Sequence, residues 1–134
     1  MLFFQRLIAM TMVVVSLLLA ITSAECQAGD PEWYLLYQDG EFFLNARNLP
    51  EAEMCFRDAL SLKDEGDRSR TRTVGLKYAE YFPNRELGIV LFKMRRYEEA
   101  RIFLDKSMKS TPSARAQEFL GKLPPPSAEE EQQK

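Results

Sequence analysis

The 134-residue sequence contains no histidine, so the side chain that most often serves as general base at neutral pH and as metal ligand is missing. Cysteine is nearly as scarce. Cys26 and Cys55 are the two, without the Cys-x-x-Cys spacing that points to zinc or a redox pair. The six glycines stand singly, no glycine-rich phosphate loop occurs, and no serine or lysine lies in a nucleophile motif. Paired carboxylates such as Glu98 and Glu99, or the run 129–131, read as solvated faces. The expectation is a protein that is not an enzyme and takes no cofactor or metal. A formal net charge of −2, from 18 basic and 20 acidic residues, gives no basic surface to neutralise phosphates and argues against nucleic acid as a partner.

Long apolar runs are confined to the start of the chain. Arg6 precedes an uncharged apolar stretch over residues 7–21, followed by the small residues Thr22, Ser23 and Ala24. This is the anatomy of a signal peptide over residues 1–24, cut after Ala24 or, as second choice, after Ala28. It predicts an exported, periplasmic protein. The alternative is that residues 2–21 stay in the bilayer and anchor a structural subunit of a larger membrane complex. Glu25 occupies the place before Cys26 where a lipid-attachment box requires a small residue. Residues 25–30 read as a linker. In an oxidising compartment a Cys26–Cys55 disulfide is an open alternative, against a Cys55 that simply packs as a small hydrophobe.

The remainder is organised by an internal repeat. In residues 88–108, GIVLFKMRRYEEARIFLDKSM, Gly88 is followed by Tyr97, Glu99, Ala100, Leu104 and Met108. Forty-eight residues upstream the same offsets hold Gly40, Leu49, Glu51, Ala52, Phe56 and Leu60. Each copy reads as two amphipathic helices joined by a tight turn, with apolar residues at spacings of three and four. Asp30, Pro31 and Glu32 form a helix start with Asp30 as N-cap, and Asn48 with Glu51 matches a capping box. Gly40 lies inside an apolar stripe at a cost of about 1 kcal/mol in helix propensity, which implies close approach of a neighbouring helix. Gly66 suits a left-handed turn after the second helix. Thr71, Val74, Tyr78, Tyr81 and Phe82 fall at helical spacing, so residues 68–82 are expected to form an inserted helix that stops at Pro83. A short closing helix over about 113–123 covers the last apolar face. The Pro-rich and acidic segment 124–134 reads as a disordered tail.

The two hairpins resemble tetratricopeptide repeats, most specifically in RRYEEARIFLDKSM. Matching positions are Gly40, Ala52, Phe56 and Ala59 in one unit and Leu87, Gly88, Leu91, Ala100, Leu104 and Pro112 in the other. Departures are Leu36 and Asn84 where an early aromatic is usual, Ser107 for alanine, and Asp64 for the closing proline. The resemblance implies an all-α fold over residues 31–123, with antiparallel helical hairpins stacked as a short solenoid. About six helices follow the signal segment: repeat one over about 33–64, the inserted helix over about 68–82, repeat two over about 83–112, and the closing helix. It also implies a concave groove for a protein or peptide partner, lined by Tyr34, Tyr37, Glu41, Leu44 and Asn45 from the first unit and by Arg85, Ile89, Phe92 and Lys93 from the second. The implied role is an adaptor or assembly factor for an envelope complex, with the oligomeric state left open. Arg68, Arg70 and Arg72 form a basic patch for an acidic partner or anionic lipid heads. On a helix, however, residues two apart diverge, so the simpler account is a solvated helix start balanced by Asp64, Glu65 and Asp67.

Overall fold

The computed structural model describes residues 29–126, which fold into five helices and one two-stranded β-hairpin. The signal segment, Cys26 with its pairing to Cys55, and residues 127–134 of the tail lie outside the described residues. Helix α1 is Glu32–Asn45 and α2 is Leu49–Leu62; strands β1, Arg68–Arg72, and β2, Tyr78–Tyr81, follow; then come α3, Pro83–Lys93, α4, Tyr97–Ser110, and α5, Ala114–Lys122. Among the described residues no helix is long and apolar enough to cross a membrane.

The pairs α1–α2 and α3–α4 are helical hairpins closed by the same turn. Arg47 and Arg95, 48 residues apart, both adopt left-handed backbone, with φ of 61° and 62°. Each turn ends its first helix with two returning amide bonds. Arg47 N–H donates to Leu44 and Asn48 N–H to Phe43, while Arg95 N–H donates to Phe92 and Arg96 N–H to Leu91. This is Schellman geometry, usually given to glycine or asparagine because a side chain strains there. The repeat extends to the packing. An added Cβ on Gly40 would meet the Phe56 ring at 2.7 Å, and one on Gly88 would meet Leu104 Cγ at 2.6 Å, so each glycine admits a large residue sixteen positions on. Ala52, Ala59 and Ala100 are fully buried around these contacts. The core continues through Leu87, Val90, Leu91 and Leu104, and α2 packs on α3 to join the hairpins. Helix α5 closes the stack against α4 and α3, with Ser113 accepting its capping bond from the Ala116 amide.

Two predicted caps take another form. Pro31, not Asp30, is the N-cap of α1, and neither Pro31 nor Asn48 makes a side-chain capping bond. The larger correction concerns residues 68–82, which form β1, a turn and β2 instead of a helix. Thr71, Thr73, Val74, Tyr78 and Tyr81 are β-branched or aromatic, types that favour a pleated surface. Gly75 lies in the middle with φ of +58° at the first central position of a four-residue turn, where Lys77 N–H donates to Val74 O over 2.9 Å. Arg72 pairs with Tyr78, Thr71 with Ala79 and Arg68 with Tyr81, with an irregularity between Arg68 and Thr71.

The base of the β-hairpin is fixed in the core. Tyr81 is fully buried, its ring 4.7 Å from that of Trp33 and 5.2 Å from that of Tyr37. Its hydroxyl lies 3.1 Å from Ala59 O, which also accepts the Lys63 amide, and 2.9 Å from Lys63 O, just past the C-terminal end of α2. Asp67, also buried, caps α3 from across the excursion: its carboxylate accepts from the Asn84 amide, the Asn84 side chain and the Arg85 amide, each at 2.9 Å. Thr111 adds a bond to the Asp67 carbonyl from the end of α4.

Gly88→Ala and Gly40→Ala are each expected to lose about 1–3 kcal/mol by overpacking. Gly88 should be the worse, because its new methyl also faces the Leu104 backbone nitrogen at 3.2 Å. Ser107→Ala should move stability the other way by about 1 kcal/mol, because that buried hydroxyl has no hydrogen-bond partner. Urea unfolding measures all three.

Candidate functional site

The groove residues predicted from sequence divide into three groups. Tyr37, Leu44 and Ile89 are buried in the core, which corrects their assignment to a binding surface. Their spacing on the apolar stripes of α1 and α3 is shared by groove and core positions, and burial of the stripe decided the outcome. Tyr34, Glu41, Arg85 and Phe92 are partly covered, and Asn45 and Lys93 are exposed. Helix α5 accounts for part of this cover: the Phe119 ring stands edge-on to Phe92 at 5.2 Å, with Tyr97 at 5.6 Å on another side.

Between these groups lies a charged cluster. Glu86 on α3 is almost entirely buried, its side chain 3% exposed, and it accepts an ion pair at each oxygen. Arg85 Nε is 2.7 Å from Glu86 Oε1 and Arg115 Nη2 of α5 is 3.2 Å from Oε2. The Arg85 guanidinium also lies over the Phe82 ring, 4.0 Å from its centroid. Burial raises the Glu41 carboxyl above its ordinary value; hydrogen bonding with Tyr37 opposes this, and the nearby Glu86 charge adds to it. Burial likewise pushes the Tyr37 hydroxyl far up, reinforced by Glu41 and Glu86, so it remains a neutral donor. The structure thus brings Tyr37, Glu41 and Arg85 together, and adds Glu86 and Arg115. Glu86 looked like an ordinary charge on an amphipathic helix, and nothing in the local sequence set it apart from the solvated carboxylates.

A second ionic cluster joins the hairpins on another side. Glu53 and Arg57 of α2 meet Arg96 and Glu99 at the start of α4, with contacts of 2.7–3.1 Å. The hydrogen bonds from Arg96 hold Glu99 below its usual range. Three of the four side chains are about 40% exposed, so each pair contributes at most about 1 kcal/mol.

The basic patch changes most. On a strand, side chains alternate, so Arg70 and Arg72 share one face with Tyr78, whereas on a helix they would diverge; the extra residue between Arg68 and Thr71 puts Arg68, paired with Tyr81, on the other face. All three are exposed and Thr71 between them is buried. Arg70 stacks over Tyr78 with its Cζ 4.3 Å from the ring centroid, and the Arg72 Nε donates to the Gly75 carbonyl. The acidic residues expected to balance them are engaged elsewhere: Asp64 with Lys106, Glu65 with Lys63, and Asp67 in the α3 cap. Among the described residues no ion pair involves Arg68, Arg70, Arg72 or Lys77. An open cleft of about 450 Å³ lies beside the base of the β-hairpin, bordered by Glu65, Arg68, Arg70 and Ser110.

Cys55 is buried, and burial raises its thiol above the ordinary value, which makes it a poor nucleophile. Among the described residues no group of three or more acidic or cysteine side chains is placed to hold a metal ion. No protein-family model, curated protein or solved structure matches this chain.

The raised Glu41 carboxyl has a measurable consequence. The folded state holds this proton more tightly than the unfolded chain, so the group's contribution is most favourable below the ordinary carboxylate range. It turns unfavourable as pH rises through the folded value. Glu41→Gln keeps an acceptor for Tyr37 and removes the charge. The variant should melt higher than the parent at neutral pH, and the difference should vanish near pH of about 4. Thermal unfolding across that range checks it.

Proposed function

We propose that this protein is a non-catalytic interaction module: a short tetratricopeptide-like stack that holds a segment of a partner protein and acts as an adaptor or assembly factor for an envelope complex. The observation that carries the reading is the recurrence, 48 residues apart, of one packing scheme. It combines a left-handed turn at Arg47 and Arg95 with a glycine that seats a large side chain sixteen positions on, at Gly40 with Phe56 and Gly88 with Leu104. Repeats of this kind are rigid, contact chiefly their neighbours and display the faces of successive first helices side by side. The export assignment comes from residues 1–24, and the adaptor role is fold-level analogy.

Of the groove positions implied by the resemblance, Tyr34, Glu41, Asn45, Arg85, Phe92 and Lys93 keep some exposure. Tyrosine, phenylalanine and arginine supply the large, amphipathic anchors that dominate binding energy at interfaces. The polar cluster beneath them fixes the orientation of α5 against α3 through Arg115 and Glu86. A partner that enters this face therefore meets a preformed surface, which limits the ordering cost of association.

Photo-crosslinking in the native host tests the proposal. A crosslinkable residue at Asn45 and another at Lys93 should capture the same partner. One at Ile102, 60% exposed on α4, should capture none of it. Phe92→Ala should weaken that capture by about tenfold, the effect of losing a modest hot spot. Capture from Ile102 alone, or different partners from Asn45 and Lys93, would contradict the groove.

A further inference from the structure

The inserted β-hairpin carries a chemistry that the helical stack does not use. Residues 68–81 hold four cations, Arg68, Arg70, Arg72 and Lys77, and a single carboxylate, Glu80, although the whole chain is slightly acidic. Its apex is apolar. Leu76 is 84% exposed, the most exposed large hydrophobic side chain among the described residues, and Tyr78 beside it is 49% exposed. An isolated exposed leucine needs no explanation, but this one crowns the turn ahead of a cationic shaft.

We propose that the β-hairpin docks on the surface of an anionic lipid bilayer, with Leu76 entering the interface and the arginines and Lys77 binding lipid phosphates. The order of side chains along the β-hairpin matches the order of layers in a membrane surface. Leu76 lies at the tip, where acyl chains begin. Lys77, Tyr78 and Arg72 come next, at the depth where amphipathic aromatics and snorkelling cations sit. Arg70 and Arg68 stand farther back. At about 3.3 Å per strand residue, Arg68 is roughly 13 Å behind Arg72. The shaft therefore spans little more than a Debye length of about 8–10 Å at moderate salt, and most of its charge feels an anionic surface.

The shape of the tip favours a bilayer over an acidic protein, and the charge of the body sets the direction of approach. The tip offers Leu76, with Val74 in the same turn and Tyr78 beside it, as a small convex apolar surface, which inserts into a fluid interface without needing shape complementarity from a partner. The body of the molecule, left net acidic once the β-hairpin is set apart, is repelled by an anionic surface, which steers approach tip first. The base is rigid enough to transmit that orientation, because Tyr81 and Asp67 fix both ends of the excursion in the core.

The test uses the full chain with Cys26→Ser and Leu76→Cys, labelled at position 76 with a polarity-sensitive fluorophore, Cys55 being buried. A probe at the tip reads the β-hairpin whatever the N-terminal segment does. Vesicles containing phosphatidylglycerol should blue-shift the probe and vesicles of phosphatidylcholine alone should not. High salt should reverse the shift. Combined Arg70→Ser, Arg72→Ser and Lys77→Ser should weaken the response by roughly a hundredfold at low salt, from about 1 kcal/mol per basic residue near such a surface. The proposal is overturned if the probe does not respond, responds equally to neutral vesicles, or is indifferent to the triple substitution. It is also overturned if soluble polyglutamate produces the same shift and competes with vesicles, which assigns the surface to an acidic polypeptide. Should the triple variant lose its helical circular dichroism, the salt series on the unsubstituted shaft decides: a shift that persists at high salt overturns the proposal.

Discussion

Asp67 accepts three hydrogen bonds at 2.9 Å in a site from which water is almost excluded, and two of them come from the first amides of α3. Those amides belong to the helix end that has no internal acceptors and carries the positive end of the helix dipole, so a carboxylate is the natural complement. The chain leaves this point at Arg68, makes the β-hairpin and returns at Tyr81, one residue before the N-cap of α3. Asp67 thus caps a helix that begins sixteen residues later as though the excursion did not exist. Tyr81 performs the reciprocal task at the other end, its one hydroxyl proton shared between the carbonyls of Ala59 and Lys63 where α2 ends. Together they let a 14-residue strand–turn–strand interrupt two helical hairpins without loosening the junction between α2 and α3.

Much of the fold was legible in the sequence because helix-pair packing repeats its requirements. The offsets linking Gly40 with Phe56 and Gly88 with Leu104 are set by which side chains meet, and any chain with that packing must show them. The tight turn within each copy was legible for the same reason, and the helix after Pro112 from the apolar face that the second hairpin leaves to be covered. Residues 68–82 were not, because Thr71, Val74, Tyr78 and Tyr81 satisfy a helical spacing while their types and the alternation of Arg68, Arg70 and Arg72 satisfy a strand. Gly75 at a turn with positive φ was the residue that separated the two.

That single difference changes the meaning of the charges around it. Three arginines dispersed around a helix start need only solvent, whereas Arg70 and Arg72 on one face of a strand, with Lys77 at the turn, make a patch. The carboxylates nearby seemed to neutralise them, yet Asp64 and Glu65 pair with lysines and Asp67 is buried as a cap. The positions expected to line a groove show the converse. Tyr37, Leu44 and Ile89 lie on the predicted stripe and are drawn into the core, while Glu86, an unremarkable charge in sequence, becomes the buried junction between α3 and α5. The outcome is a packed helical body, with α1 and α3 in contact and a cationic β-hairpin set at the junction of α2 and α3.

The junction is the part on which the rest depends. Urea unfolding of Asp67→Ala tests it most directly. Leaving two helix-terminal amides without their charged acceptor should cost about 2–4 kcal/mol, and hydrogen exchange at Asn84 and Arg85 should accelerate accordingly. A variant within about 0.5 kcal/mol of the parent, the range of an ordinary surface substitution, would show that Asp67 does not hold the two hairpins together.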